Sequence, residues 1–218
     1  MCNLYSLTKG QAAIREFTRA MQDTLGNLPA LPGIFPDQMA PVVHATRDGA
    51  RELAMMRWGM PPPPNFGTRP VTNVRNLNSS YWRGWLKPEW RCLVPATSFC
   101  EYTDSQPKVP HWFALAEDRP LFAFAGIWRP WTGTRGTKAD PQAGEHRLFA
   151  FLTCEANDVV RPIHAKAMPV LLTTPEACDA WLTGSVEEAV ALQRPLSPEA
   201  LRIVATGPRK DEGGMIAA

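Results

Sequence analysis

Proline constrains this chain most, with 22 spread over 218 residues. Each fixes its own φ and removes a backbone donor, which favours short elements joined by irregular connections. Between the prolines, strand-like runs dominate the second half: 91–94, 98–102, 111–116, 121–128, 148–153 and 168–172. Earlier, 39–46 and 50–58 flank Arg47-Asp48-Gly49 and predict a β-hairpin. Thr8 and Gln11 have capping-box spacing, and Ile14, Phe17, Met21 and Leu25 recur at helical intervals. Together they predict an amphipathic helix over 8–25. Residues 28–41 read as a proline-rich connection, Pro61 to Pro64 as an extended loop, and Ser79 as the cap of a short helix reaching Trp85. Residues 131–145, rich in Gly, Thr and Pro, predict a flexible surface loop. Short C-terminal helices are expected after Thr174 and Ser197, where a cap residue precedes Pro175-Glu176 and Pro198-Glu199. The expected fold is a single α+β domain over 1–206, with a mainly antiparallel, barrel-like sheet, an N-terminal helix and short C-terminal helices. Residues 207–218 read as a flexible tail.

An apolar content of 44% is enough to bury a core, and no apolar run approaches the length of a membrane span. Met-Cys-Asn-Leu-Tyr-Ser has none of the character of a secretory signal, so a cytoplasmic protein is expected. Cys2, Cys92, Cys100, Cys154 and Cys178 show no metal-ligand spacing, so neither a metal nor a cofactor is expected. All but Cys2 lie in apolar segments and read as small core residues. The net charge is only +2, but it is unevenly placed. Arg57, Arg69, Arg75, Arg83, Lys87 and Arg91 are opposed in that window by Glu89 alone, and Trp58, Trp82, Trp85 and Trp90 are interleaved with them. Cations with flat rings suit a single-stranded nucleic-acid groove; the same residues equally suit a core with a solvated face.

Cys2 has a chemistry that no internal cysteine has. Once Met1 is removed, one residue carries both a free α-amine and a thiol. The amine condenses with an aldehyde to an imine, and the thiol closes on the imine carbon to give a thiazolidine. Reference pKa values of about 7.7–8.0 and 8.5 put useful fractions of both reactive forms near neutral pH.

Several short motifs follow one another in a telling order. They are Met1-Cys2, Arg57-Trp58-Gly59, Asn73-Val74-Arg75, Arg91-Cys92-Leu93-Val94-Pro95-Ala96 running into Phe99-Cys100-Glu101-Tyr102, Leu152-Thr153 with Ala156-Asn157, and His164 ahead of Met168-Pro169-Val170. In order and spacing the chain resembles the SOS response-associated peptidase (SRAP) family, whose members link themselves covalently to abasic sites in single-stranded DNA. The resemblance implies a nucleophile at Cys2, a positioning amide at Asn73, a catalytic carboxylate at Glu101 and a histidine at His164. It also implies DNA contacts at Arg75, Arg83, Thr153 and Lys166, with Trp58 near the groove. Three departures stand out. Asn3 and Leu4 follow Cys2 where Gly-Arg is common, Lys166 replaces an arginine in a motif one residue longer, and Tyr102 stands where tryptophan is frequent.

These residue types suit the chemistry. Loss of water from a carbinolamine needs an acid, a role for Glu101 if its setting raises its pKa. His164 can shuttle protons on the sugar oxygens, and the Asn73 carbonyl can orient the α-amine. The partner implied is single-stranded DNA with abasic sites, met by a monomer at the nucleoid, and removal of Met1 by the same site is compatible with the sequence. Two other readings stay open: an amidohydrolase with an N-terminal nucleophile, and a nucleic-acid binding module in which Cys2 is incidental.

Overall fold

The computed structural model describes residues 2–213. In chain order the strands are β1 (Tyr5–Leu7), β2 (Gln22–Asp23), β3 (Leu31–Ile34), β4 (Met39–Ala45), β5 (Arg51–Trp58), β6 (Asn73–Val74), β7 (Arg91–Ala96), β8 (Ser98–Tyr102), β9 (Pro110–Ala114), β10 (Phe122–Gly136), β11 (Pro141–Cys154), β12 (Met168–Pro169), β13 (Leu171–Leu172) and β14 (Arg202–Thr206). The helices are short: α1 (Gln11–Thr18), α2 (Ser80–Arg83), α3 (Pro175–Thr183) and α4 (Val186–Ala191).

Strands β11, β10, β7, β4 and β5 pair antiparallel in that order, and β11 returns to pair in parallel with β5 at Leu148↔Arg57 and Phe149↔Trp58. That pairing closes a five-stranded barrel and leaves no open edge along its wall. Large rings fill it: Tyr5 lies 5.1 Å from Trp58, Trp58 5.2 Å from Phe151, and Phe124 4.5 Å from Phe151. In β10 the run from Phe122 to Ile127 is buried on both faces, because the barrel covers one side and α3 approaches the other. Trp181 of α3 seals that contact, its Nε1 donating to the carbonyls of Cys92 and Gly126 at 2.9 and 3.1 Å. Gly126 leaves room for the side chains of the neighbouring β7, since a Cβ there would stand 2.8 Å from the Cys92 sulfur.

A second antiparallel sheet, in the order β14-β9-β8-β1-β3, lies beside the barrel. The chain crosses from one sheet to the other between β7 and β8 through a single residue, Thr97. Thr97 is fully buried, and its N–H donates to the Ser6 carbonyl at 2.8 Å. This crossover sets the Glu101 strand against β1 and brings it near the barrel end where β6 pairs with β11.

The 39–58 hairpin forms as expected, with β4 and β5 in register from Met39↔Arg57 to Ala45↔Arg51. The N-terminal helix is shorter than its periodicity predicts. It starts after Gly10, while the Thr8 hydroxyl turns to Thr97 at 3.3 Å. It stops at Arg19, in the left-handed region at φ 56°, and the chain then joins β5 through Met21 N–H to the Arg51 carbonyl and Thr24 N–H to the Leu53 carbonyl. Met21, counted on the helix's apolar face, is 76% exposed.

Residues 131–145 are not a flexible loop: β10 and β11 run on as an antiparallel ribbon from Trp131↔His146 to Gly136↔Pro141. Its tip is tied down. Buried Arg135 donates from Nε to Asp37 Oδ1 at 2.9 Å and from Nη1 to the Gly59 carbonyl at 2.8 Å, and Gly136 N–H reaches Asp37 Oδ2 at 3.2 Å. After Thr174, whose hydroxyl accepts from Ala177 N–H, α3 forms as expected. The helix expected after Ser197 is one 3₁₀ turn, Pro198–Ala200. Between them α4, with a full Ser185/Glu188 capping box, went unpredicted. Residues 207–213 are docked instead of frayed, with Asp211 only 2% exposed, and 214–218 lie outside the described residues.

Candidate active site

Three elements meet around Cys2. The segment leading into β1 lies along β8, with Cys100 N–H donating to the Leu4 carbonyl at 2.9 Å and Tyr5 opposite Phe99. Cys2 is 1% exposed, and its thiol donates to the Leu4 carbonyl at 3.4 Å. From the barrel side, β6 places Asn73 opposite Phe151. The Asn73 Nδ2 donates to the Cys2 carbonyl and to the Thr72 hydroxyl, both at 2.8 Å. The Thr72 hydroxyl in turn donates to Asn3 Oδ1 at 2.9 Å, so the residue that departs from Gly completes the chain of hydrogen bonds holding Asn73. The Asn73 Oδ1 is buried and accepts no hydrogen bond among the described residues. It is an acceptor open to a donor beside Cys2, and satisfying such an atom is worth about 1–3 kcal/mol.

Glu101, on β8 opposite His111, is 3% exposed. Burial in this strand pair raises its pKa to about 7, so near neutrality it is balanced between acid and carboxylate. Burial also pushes the Cys2 thiol well above its usual range, and the nearby Glu101 charge pushes it further. Cys2 is therefore held as a neutral thiol, against the sequence-based expectation of an ordinary thiol pKa. Glu101 faces a cavity of about 710 Å³ that also exposes Asn3, Tyr102, Lys108, His164 and Arg209.

His164 reaches that cavity from the turn between β11 and β12. Asn157 organises the turn before it, with Oδ1 accepting from Val159 and Val160 N–H and Nδ2 donating to the Leu196 carbonyl. The His164 N–H then donates to the Val160 carbonyl at 2.8 Å. Burial lowers the pKa of the ring; Asp104 opposes this, and Lys166 and Lys108 add to it. The cavity thus joins Glu101 and His164, while Cys2 and Asn73 lie buried behind its wall, next to Asn3 and within electrostatic reach of Glu101.

The expected DNA contacts fall in several places. Exposed Arg75 continues β6, and its Nη1 donates to the carbonyls of Cys154 and Lys166 at 3.2 and 2.5 Å. That gathers Arg75, exposed Lys166 and the buried Thr153 at one end of β11. Gln193 fastens the group, donating to the carbonyls of Arg75 and Thr153 at 2.7 and 2.9 Å; nothing in the sequence singles it out. Arg83 stands exposed on α2. Trp58 is fully buried, with its Nε1 donating to the Thr72 carbonyl at 3.0 Å, so its ring offers no face to a base and its part is to seat Thr72. Arg57 and Arg91 are buried too, Arg57 against Asp37 and Gln142, and Arg91 on the Leu86, Trp181 and Gly184 carbonyls. The Trp-rich window is therefore mostly core, with Arg69, Arg75, Arg83 and Lys87 as its solvent-facing cations. The aromatic side chain that does face solvent is Phe66, 79% exposed in the proline-rich loop beside Arg69 and Trp82. Its signal in the sequence was a ring in a Pro- and Gly-rich loop, where no core pattern calls for one.

A closed barrel and companion sheet that bring a near-terminal cysteine and an asparagine together beside a buried, cavity-lining glutamate define a class. The family model described as SOS response associated peptidase (SRAP) matches residues 1–207. Abasic site processing protein YoqW of Bacillus subtilis is 30% identical over 166 residues, spanning 72% of this chain and 69% of that protein. Abasic site processing protein YobE of the same organism is 29% identical over 166 residues, spanning 72% of this chain and 71% of its own. A solved protein from Bordetella bronchiseptica shares the fold at a TM-score of 0.72 and 24% identity, over 94% of this chain and 98% of that one. One from Bacteroides thetaiotaomicron does so at 0.66 and 20%, over 94% and 90%. This chain belongs to the SRAP family.

Proposed function

We propose that this protein processes abasic sites in single-stranded DNA by forming a thiazolidine between Cys2 and the open aldehyde of the deoxyribose. The observation that carries the reading is a near-terminal thiol held beside an amide and within electrostatic reach of a buried, half-protonated carboxyl group that lines a cavity. It is supported by kinship with proteins named for abasic-site processing.

The sequence of steps follows from the protonation states. With Met1 removed, Asn73, whose Nδ2 already holds the Cys2 carbonyl, would accept an N–H of the Cys2 α-amine at Oδ1 and turn the nitrogen lone pair to the aldehyde. The nitrogen attacks carbon first, because the buried thiol is neutral. Protonated Glu101 gives its proton to the carbinolamine hydroxyl, which leaves as water and yields an iminium. The new positive charge favours ionisation of the Cys2 thiol, whose proton passes to the Glu101 carboxylate. The sulfur then closes on the iminium carbon, and one water has been lost overall. Closure removes the iminium before it can acidify the C2′ protons and expel the 3′ phosphate, so the strand survives. His164 serves the sugar oxygens during ring opening, since its lowered pKa keeps it neutral and able to relay a proton.

Arg75, Lys166 and Thr153 would hold the backbone on one side, Arg83 would add a more distant cation, and Phe66 would stack an exposed base. The Arg75→Ala variant should bind an abasic oligonucleotide about tenfold more weakly and lower the salt-dependence slope by about 0.7, as expected for one lost phosphate on a single strand. Phe66→Ala should weaken binding by about 1–3 kcal/mol with the salt slope unchanged. Titrations at several salt concentrations check both.

The amidohydrolase reading is less well supported, because a thiol buried beside Glu101 is a poor nucleophile toward an amide. A plain binding module would have no use for a carboxyl group whose burial costs stability whenever it ionises. The reading is tested by mixing Met1-free protein with abasic single-stranded DNA on a denaturing gel. A band of retarded DNA is expected, and its absence overturns the reading. The protein would work in the cytoplasm as a monomer, at the nucleoid when on DNA; no helix among the described residues is long and apolar enough to cross a membrane.

A further inference from the structure

The segment 207–213 is anchored at several points. Gly207 N–H donates to the Pro110 carbonyl, Trp112 Nε1 to that of Pro208, and Asp211 N–H to that of Pro32, each at 2.9 Å. Asp211, 2% exposed, accepts the Ser98 hydroxyl at 2.6 Å and Arg119 Nε and Nη2 at 3.3 and 3.2 Å. Ser98 also meets the Ser6 hydroxyl at 2.7 Å, so this latch is fixed to β1 and β8, the two strands that seat Cys2 and Glu101. A buried ion pair adds little net stability, since desolvation offsets its Coulomb gain. Its main effect here is to fix position. It holds Arg209, two residues before Asp211, on the wall of the Glu101 cavity, where the guanidinium meets the Tyr102 hydroxyl.

Lys108, from the loop between β8 and β9, lines the same cavity. Asp104, Glu101 and His164 line the cavity with these two cations. Lys108 and Lys166 both lie within electrostatic reach of His164, so there are two cationic groups of separate origin: Lys108 with Arg209 on the cavity wall, and Arg75 with Lys166 outside that lining, joined to it through His164. A deoxyribose within a strand carries a phosphate on each side. We infer that Lys108 and Arg209 form a phosphate subsite that takes one of the two phosphates flanking the abasic sugar, the other falling to Arg75 and Lys166. This rests on the abasic-site reading and adds a second anchor, supplied by the C-terminal segment, that sets the sugar's position over Cys2.

The test uses single-stranded oligonucleotides carrying a tetrahydrofuran in place of the abasic sugar, which bind but cannot react. Lys108 and Arg209 are both exposed, so the Lys108→Ala/Arg209→Ala double variant does not disturb the core. It should bind about 10- to 100-fold more weakly than wild type. Each flanking phosphate is then replaced in turn by an uncharged methylphosphonate. At one of the two positions, the replacement should weaken wild type but leave the double variant unchanged, because contact and cation are lost together. Equal binding by wild type and double variant overturns the inference, and so do additive losses at both positions. The aldehyde-bearing oligonucleotide is run alongside. If wild type gives no covalent adduct with it, the abasic-site reading falls and the subsite with it; adduct without coupling overturns the subsite alone.

Discussion

Cys2→Ala should turn the proposed sealing of an abasic site into cutting at it. The variant keeps an α-amine after Met1 removal, and Asn73 and Glu101 are untouched, so the imine still forms. Without a sulfur to close the ring, the iminium persists and acidifies the C2′ protons. Elimination then expels the 3′ phosphate. Three results are expected together: no adduct that survives denaturation, an adduct trapped only when borohydride is present, and cleaved DNA. A variant that still gave a stable adduct would place the linkage on another residue.

The second large effect belongs to Glu101→Gln. Glutamine keeps the shape but cannot donate the proton that carries water away, so adduct formation should slow by about 10²- to 10⁴-fold. The pH dependence identifies the role. Wild type needs Glu101 protonated and the amine free, so its rate should rise and then fall as pH passes through about 7. The variant should keep only the rising limb set by the amine, a group whose reference pKa is about 7.7–8.0. Stability should move the opposite way. The folded pKa of Glu101 is raised from the usual 4.5 to about 7, so the folded state binds this proton more tightly. Its favourable contribution is complete below the unfolded value and is lost as pH rises through about 7. Above that, the buried charge costs about 3 kcal/mol. Wild type and Glu101→Gln should therefore denature alike near pH 4.5, and the variant should be the more stable one by about pH 8. Equal stability at both pH values would mean that Glu101 is not held in an apolar setting.

Much of this was legible from residue order. The 39–58 hairpin announced itself through alternation and Gly49, and α3 through Thr174 and Pro175, because turns and caps are local chemistry. Cys2, Asn73, Glu101 and His164 are marked in the sequence by their place among short motifs. What escaped depends on distant partners. The 131–145 ribbon is held by Asp37, nearly a hundred residues away in sequence, and Gly- and Thr-rich composition gives no sign of it. Helix α1 ends where the chain is drawn to β5, so Met21 and Leu25 keep helical spacing outside any helix. Trp58 looked like a stacking platform because a sequence shows the ring and not its burial. The pKa values of Cys2 and Glu101 were out of reach for the same reason, being set by desolvation in a corner built from three elements.

Intact-mass spectrometry of Met1-free protein, with and without an abasic single-stranded oligonucleotide, tests the central claim most directly. The predicted result is a mass gain equal to the oligonucleotide minus one water, formed without reductant, unchanged by later borohydride, and mapped by proteolysis to the peptide that begins at Cys2. Absence of that species, or an adduct that survives only after borohydride reduction, would contradict the thiazolidine.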